Sequence, residues 1–160
     1  MDSSQAPFQT KNGALVKTTP YIWKNVAIGG GGFVSAVEIH PRHPDQVYFV
    51  TNVGGLFRWD PADEQAIPLT DGFSLSQSSF YSMNGLAFHP EDPDILYIAA
   101  GAYADPWAGP GAIFQSTDRG RTWARVTPEN WPVKVGGMNY PWVVQRLAVD
   151  PNHPEILLYG

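Results

Sequence analysis

Short apolar runs separated by turn-forming residues set the pattern of this chain. The runs "VYFV" from Val47, "ILYIA" from Ile95, "RLAVD" from Arg146 and "ILLYG" from Ile156 are four or five residues long, and Pro, Gly or Asp bounds them. They are rich in β-branched and aromatic side chains and read as strands. No window holds apolar residues at a three-to-four spacing over ten positions or more, so helix is expected to be scarce. The fold class is all-β.

Three segments repeat one design: "VEIHPRHPDQVYFV" from Val37, "LAFHPEDPDILYIA" from Leu86 and "LAVDPNHPEILLYG" from Leu147. Each reads as strand, turn, strand. His40, His89 or Asp150 precedes the first proline, Pro44, Pro93 or Pro154 follows it, and Asp45, Asp94 or Glu155 comes next. Pro41, Pro90 and Pro151 preset φ for a tight reversal, the second proline removes a backbone donor, and the following acid is expected to accept from turn amides. The repeats lie roughly 50 to 60 residues apart, which is the spacing of β-propeller blades with variable loops. Three blades do not close a propeller, and the chain ends in an apolar strand. The expectation is therefore an N-terminal fragment, an open fan prone to aggregate if it folds alone. Residues 1–20 are expected to form a flexible extension and residues 21–160 the first blades.

"STDRGRTW", Ser116 to Trp123, fits Ser-x-Asp-x-Gly-x-x-Trp at every position, the Asp-box of propeller hairpins. Its roles read as structural. Ser116 opens the box, the Asp118 carboxylate accepts turn amides, Gly120 allows a positive φ, and Trp123 packs back on the sheet. "FRWDPADEQ" from Phe57 reads as a degenerate copy with Asp60 in the turn. Trp23, Trp59 and Trp123 sit in strand contexts and are assigned to the core.

Composition narrows the function classes. The 160 residues are 43% hydrophobic and 16% charged, with a formal net charge of −5, sixteen glycines, fifteen prolines and no cysteine. Ten scattered Lys and Arg make no basic footprint for nucleic acid or an anionic membrane. Absence of cysteine removes disulfides, thiol catalysis and Cys-ligated metals without identifying the compartment. No stretch has signal-peptide or membrane-span length. His40 and His43 are three apart but flank Pro41 in a turn, and Asp150 replaces His40 in the third repeat, so they read as turn residues and no metal is expected. "IGGGGF" lacks the Lys and Ser/Thr of a phosphate loop; its glycines are expected to serve close approach of blades. No cofactor is expected.

"YIWKNVAIGGGGFVSAVEIHP", "YFVTNVGGLFRWD", "PLTDG", "DPDILYIAAGAY", "GAIFQSTDRGRTW" and "RLAVDPNHPEILLYG" together resemble the opening blades of glycoside hydrolase family 74, the xyloglucan-cleaving endoglucanases and their relatives, over about Tyr21 to Gly160. The resemblance implies two seven-bladed propellers with a substrate cleft between them, an extracellular setting, a β-glucan or xyloglucan partner, and inverting hydrolysis by two carboxyl groups, the acid lying in the second propeller. The family's activating Asp sits in an Arg-Thr-Asp-Ile-Gly-Gly stretch, and Asn52 of "VTNVGG" falls there. A neutral amide hydrogen-bonds a sugar or a water but cannot take the water's proton. Before Arg146-Leu147 the family pattern favours Glu, and here stands Gln145. From its residue type alone, Asn52 equally serves as a strand-end cap or as a residue tolerant of unusual φ.

In the functional reading, Gly54 and Gly55 keep the cleft floor open for a branched glucan. Loop aromatics supply flat faces for sugar rings: Phe80 and Tyr81, Tyr103 and Trp107, Tyr140 and Trp142, with Trp107 and Trp142 preferred. Two functions follow. One is an endo-acting β-glucan hydrolase in which Asp105 or Asp60 compensates for Asn52 or the mechanism is altered. The other is a non-catalytic propeller that binds glycan or protein through the same surface. A sialidase is disfavoured because no arginine constellation for a sialate carboxylate is visible.

Overall fold

The computed structural model describes residues 22–102, 109, 111–130 and 145–160. The strands are β1 (Val34–His40), β2 (His43–Thr51), β3 (Leu56–Asp60), β4 (Gln65–Pro68), β5 (Met83–Phe88), β6 (Leu96–Ala100), β7 (Ala112–Ser116), β8 (Ala124–Arg125), β9 (Leu147–Val149) and β10 (Leu157–Tyr159). One 3-10 helix, Leu75–Tyr81, joins β4 to β5. The strands form two four-stranded antiparallel sheets, ordered β1-β2-β3-β4 and β5-β6-β7-β8, and a β9–β10 hairpin. Each of the three proline-turn repeats is thus a hairpin, and the sheets are successive propeller blades.

The residue before the first proline shapes each hairpin. His40 Nδ1 accepts from the N–H of Arg42 and of His43, both at 3.2 Å. His89 Nδ1 accepts from Glu91 N (3.2 Å) and Asp92 N (3.0 Å), and Asp150 Oδ1 from Asn152 N (2.8 Å) and His153 N (3.2 Å). An imidazole nitrogen and a carboxylate oxygen are interchangeable here because the turn needs only one acceptor. The acid after the second proline does something else. Asp94 Oδ1 pairs with Arg119 Nε at 2.6 Å, while Arg119 N donates to Asp94 O.

Burial follows the stacking of the blades. The faces of the first two sheets meet in a core that includes Tyr48, Val50, Leu56, Leu86, Leu96, Ile98 and Phe114. The other face of the second sheet, Ala87, Tyr97, Ala99 and Ile113, covers Leu147. Covered on both faces, β6 is buried at all five positions and is continuously apolar. In β1, by contrast, Val37 and Ile39 are exposed on one face while His40 is buried on the other.

Three expectations change. Trp23 is 82% exposed in an irregular segment, because Ile22 to Phe33 adds no strand to the first sheet. Trp59 is half-buried, edge-on to Phe49. Phe80 belongs to the core, edge-on to Phe73 and Phe114, because the 3-10 helix turns it inward.

Candidate functional site

The β2–β3 turn around Asn52 is built from paired polar groups. Thr51 Oγ1 donates to Gly55 O at 2.7 Å and accepts from Gly54 N at 2.9 Å. Thr70 Oγ1 accepts from Leu56 N at 3.2 Å. Asn52 holds the segment entering β1: its Oδ1 accepts from Phe33 N at 2.9 Å, and its N–H donates to Phe33 O at 3.2 Å. Asn52 is half-buried, and its Nδ2 has no hydrogen-bond partner among the described residues.

The glycines make this closeness possible. Gly32 (φ +78°) lies against the Asn52 side chain, and a β-carbon on Gly30 would enter the Phe57 ring. The run therefore approaches the β2–β3 turn of its own sheet rather than a neighbouring blade. At Gly54 a β-carbon would lie on the Gly31 carbonyl oxygen, and at Gly55 (φ +89°) on Thr70 Oγ1. The missing side chains leave room for the chain itself, which corrects the reading of an open floor.

Backbone bonds join this end of the first sheet to the same end of the others. Gly55 N donates to Tyr81 O (2.9 Å), Gly101 N to Ser82 O (2.9 Å) and Arg146 N to Asn84 O (3.3 Å), while Asn84 Nδ2 donates to Gly101 O (2.9 Å). The start of β1, the β2–β3 turn, the start of β5, the end of β6 and the start of β9 thus share one rim. Tyr81 is on it but half-buried, its hydroxyl donating to Phe73 O at 3.0 Å. Tyr103, Trp107, Tyr140 and Trp142, and also Asp105, lie outside the described residues.

Gln145 is on this rim, and both ends of its amide are engaged. Oε1 accepts from Leu86 N at 3.0 Å and Nε2 donates to Leu86 O at 2.9 Å, so the side chain pairs with β5 as a strand residue would. Beside it stands half-buried Glu38, whose pKa is raised by burial and partly restored by a hydrogen bond from Gln145.

The Asp-box lies at the opposite end of the second sheet. Asp118 Oδ1 accepts from Ser116 Oγ (2.7 Å) and Thr122 N (2.8 Å), and Oδ2 accepts from Thr122 Oγ1 (2.6 Å). These bonds, those of Thr122 first, hold the Asp118 carboxyl down to about 2. Ser116 Oγ accepts from Gly120 N at 2.8 Å, Gly120 has φ +84°, and Trp123 Nε1 donates to Leu69 O at 2.8 Å, fastening the second blade to the first. Asp60 stands at the far end of β3 from Asn52, its Oδ1 accepting from Ala62 N at 2.9 Å. Five extended residues, roughly 13 Å of strand, put it out of reach as a substitute for Asn52. A groove of about 460 Å³ lined by Arg58, Asp60, Asp71 and Arg121 includes no residue of the Asn52 turn.

Among the described residues, no group of three or more His, Asp or Glu could hold a metal ion, and no helix is long and apolar enough to cross a membrane. Sequence reasoning missed the hold of Asn52 on the Phe33 backbone.

No family model matches the chain. It is 43% identical over 149 residues to a xyloglucanase of Acetivibrio thermocellus and 45% identical over 145 residues to a xyloglucanase of a Paenibacillus species. These alignments cover 91% and 88% of the chain but only 17% and 14% of the relatives' lengths. The crystal structure of the GH74 xyloglucanase from Xanthomonas campestris superimposes with a TM-score of 0.74 at 41% identity, over 88% of this chain and 20% of that one.

Proposed function

Because the chain is homologous, over nearly its whole length, to part of the glycoside hydrolase family 74 xyloglucanases, we propose that its Asn52 rim forms part of the substrate cleft of an endo-acting, inverting β-1,4-glucan hydrolase of the xyloglucan type. Asn52 then stands at the position of the proton acceptor. The observation that carries this reading is the placement of Asn52 on the rim where Phe33, Tyr81, Gly101 and Gln145 also gather, away from the Asp-box end. Gln145, Gly54 and Gly55 contribute by fixing the shape of that rim.

In an inverting reaction one carboxyl group protonates the leaving oxygen while a carboxylate takes a proton from the attacking water on the opposite face. An amide oxygen orients a water but does not accept its proton near neutrality. Here Asn52 Oδ1 also spends a lone pair on Phe33 N–H. Asparagine and aspartate are nearly isosteric, so an Asp here would keep the Phe33 bond through one oxygen and present the other where Nδ2 now lies.

That chemistry favours a second reading, a propeller that binds xyloglucan without cleaving it. Incubating the intact protein with xyloglucan, measuring bound polymer and released reducing ends, separates the two. Binding with new reducing ends supports the hydrolase, and binding alone supports the non-catalytic module. Absence of binding contradicts both.

A further inference from the structure

Two grooves adjoin along the seam between the first two sheets. One, of about 460 Å³, is lined by Arg58, Asp60 and Asp71 from the first blade and Arg121 from the second. The other, of about 440 Å³, has Leu69, Phe73 and Trp123 in its wall beside Gln77 and Thr122. Leu69, Gly72 and Arg121 line both, so the two form one trough with Arg121 where they meet, and no residue of the Asn52 turn lines either. The strand register agrees with this facing. Arg58 stands opposite Tyr48, whose ring is in the core between the blades, and Asp60 follows two residues on along β3. The walls are tied across the seam: Arg58 Nη1 donates to Arg119 O at 3.4 Å and Trp123 Nε1 to Leu69 O at 2.8 Å. The charges inside nevertheless stay unpaired. No ion pair joins Arg58, Asp60, Asp71 and Arg121, and the Asp71 carboxylate and the Arg121 guanidinium have no hydrogen-bond partner among the described residues.

Two arginines donate, two aspartates accept and their charges cancel, so the trough favours neither an anion nor a cation. Its complement is a neutral ligand whose polar groups do both, and a hydroxyl donates one hydrogen bond and accepts two. Leu69, Phe73 and Trp123 add an apolar stretch for the C–H faces of sugar rings. Each groove is within the roughly 300–1,000 Å³ of small-molecule sites, and two in line fit consecutive sugars rather than one. We infer that this trough is a second glycan-binding site, outside the Asn52 cleft, which holds a stretch of neutral β-glucan chain along the seam, with Arg121 and Asp71 bonded to its hydroxyls. The inference rests on the functional reading above for its ligand class and adds to it a place where the polymer is anchored away from the cleft.

Affinity electrophoresis of the intact protein through gels containing xyloglucan tests the site, with Arg121→Ala and Asp71→Ala alongside. Neither side chain bonds to the fold among the described residues, so both thermal midpoints should stay close to that of the wild type. The expected result is an apparent dissociation constant raised about fivefold or more in each variant. Retardation of the wild type with the same constant in both variants overturns the second site and leaves the functional reading standing. No retardation of the wild type overturns both. Where the variants do not fold, the wild type supplies the test by NMR: the Trp123 indole N–H signal is expected to shift on saturation with a xyloglucan oligosaccharide, and an unmoved signal overturns the inference.

Discussion

Gln145 reaches both backbone polar groups of Leu86 with one side-chain amide, donating to the carbonyl at 2.9 Å and accepting from the N–H at 3.0 Å. The amide completes the ladder between β5 and the start of the third blade, where Gly85 is so close to Leu147 that a β-carbon would lie 2.9 Å from the leucine's own. Glutamine is therefore a structural choice at a position where the family resemblance favours glutamate.

Gln145→Glu removes the donor to Leu86 O and sets a second carboxylate beside Glu38. The expected cost is about 1–3 kcal/mol of stability at neutral pH, measured by denaturant unfolding. The penalty should shrink on acidification, as protonation restores a donor. A variant as stable as the wild type at pH 7 would contradict the assigned role.

His40 and His89 cap equivalent turns in different surroundings. His40 is 1% exposed and packs on Phe88; its Nδ1 accepts two amides, so its proton is on Nε2, which is buried without a partner among the described residues. His89 is half-exposed. Replacing each by Asp, the residue of the third turn, should cost less than about 0.5 kcal/mol at His89 and more than about 2 kcal/mol at His40, where a carboxylate is buried. Thermal midpoints of the two variants check this, and equal midpoints would contradict it.

Burial, aided by the charge of His43, lowers the His40 pKa; Arg42 and Arg119 add to the effect and Asp45 opposes it. A folded-state pKa below the unfolded value means that the unfolded chain binds the proton first. The stabilisation is complete above the unfolded value, about 6.5, and is lost as pH falls toward the folded one. The wild-type melting temperature should thus fall between pH 7.5 and 5.5 more steeply than that of His40→Asn, which keeps an acceptor without a titratable ring; equal slopes would count against it.

The Asp118 carboxyl, held down to about 2 chiefly by Thr122, works in a lower window. Its stabilisation is complete above the unfolded value near 4 and disappears as pH drops to 2. Thr122→Val removes the hydroxyl bond to Oδ2, so its melting temperature should be lower than the wild type's at pH 5 and the gap should narrow by pH 2. A gap that stays constant across this range would exclude the linkage.

The proline hairpins, the strands and the Asp-box were legible because their determinants are local: His89 caps amides two and three residues away, and Asp118 reaches only to Thr122. What was missed depends on distant partners. Asp94 leaves its own turn for Arg119, Phe80 is drawn in by Phe114, and Gly54 is small because Gly31 passes over it. Trp23 resembles a strand residue in sequence, but the segment around it joins no sheet. At the candidate site the position of Asn52 could be read from the resemblance, whereas its clamp on Phe33 could not, since no spacing rule links the β2–β3 turn to the segment that enters β1.

Initial rates of reducing-end release from xyloglucan by the intact protein and its Asn52→Asp variant test the central claim most directly. If Asn52 occupies the place of the proton acceptor, the carboxylate should raise the rate by at least about a hundredfold. A correctly folded Asn52→Asp protein that binds xyloglucan yet cleaves it no faster than the wild type would contradict the claim.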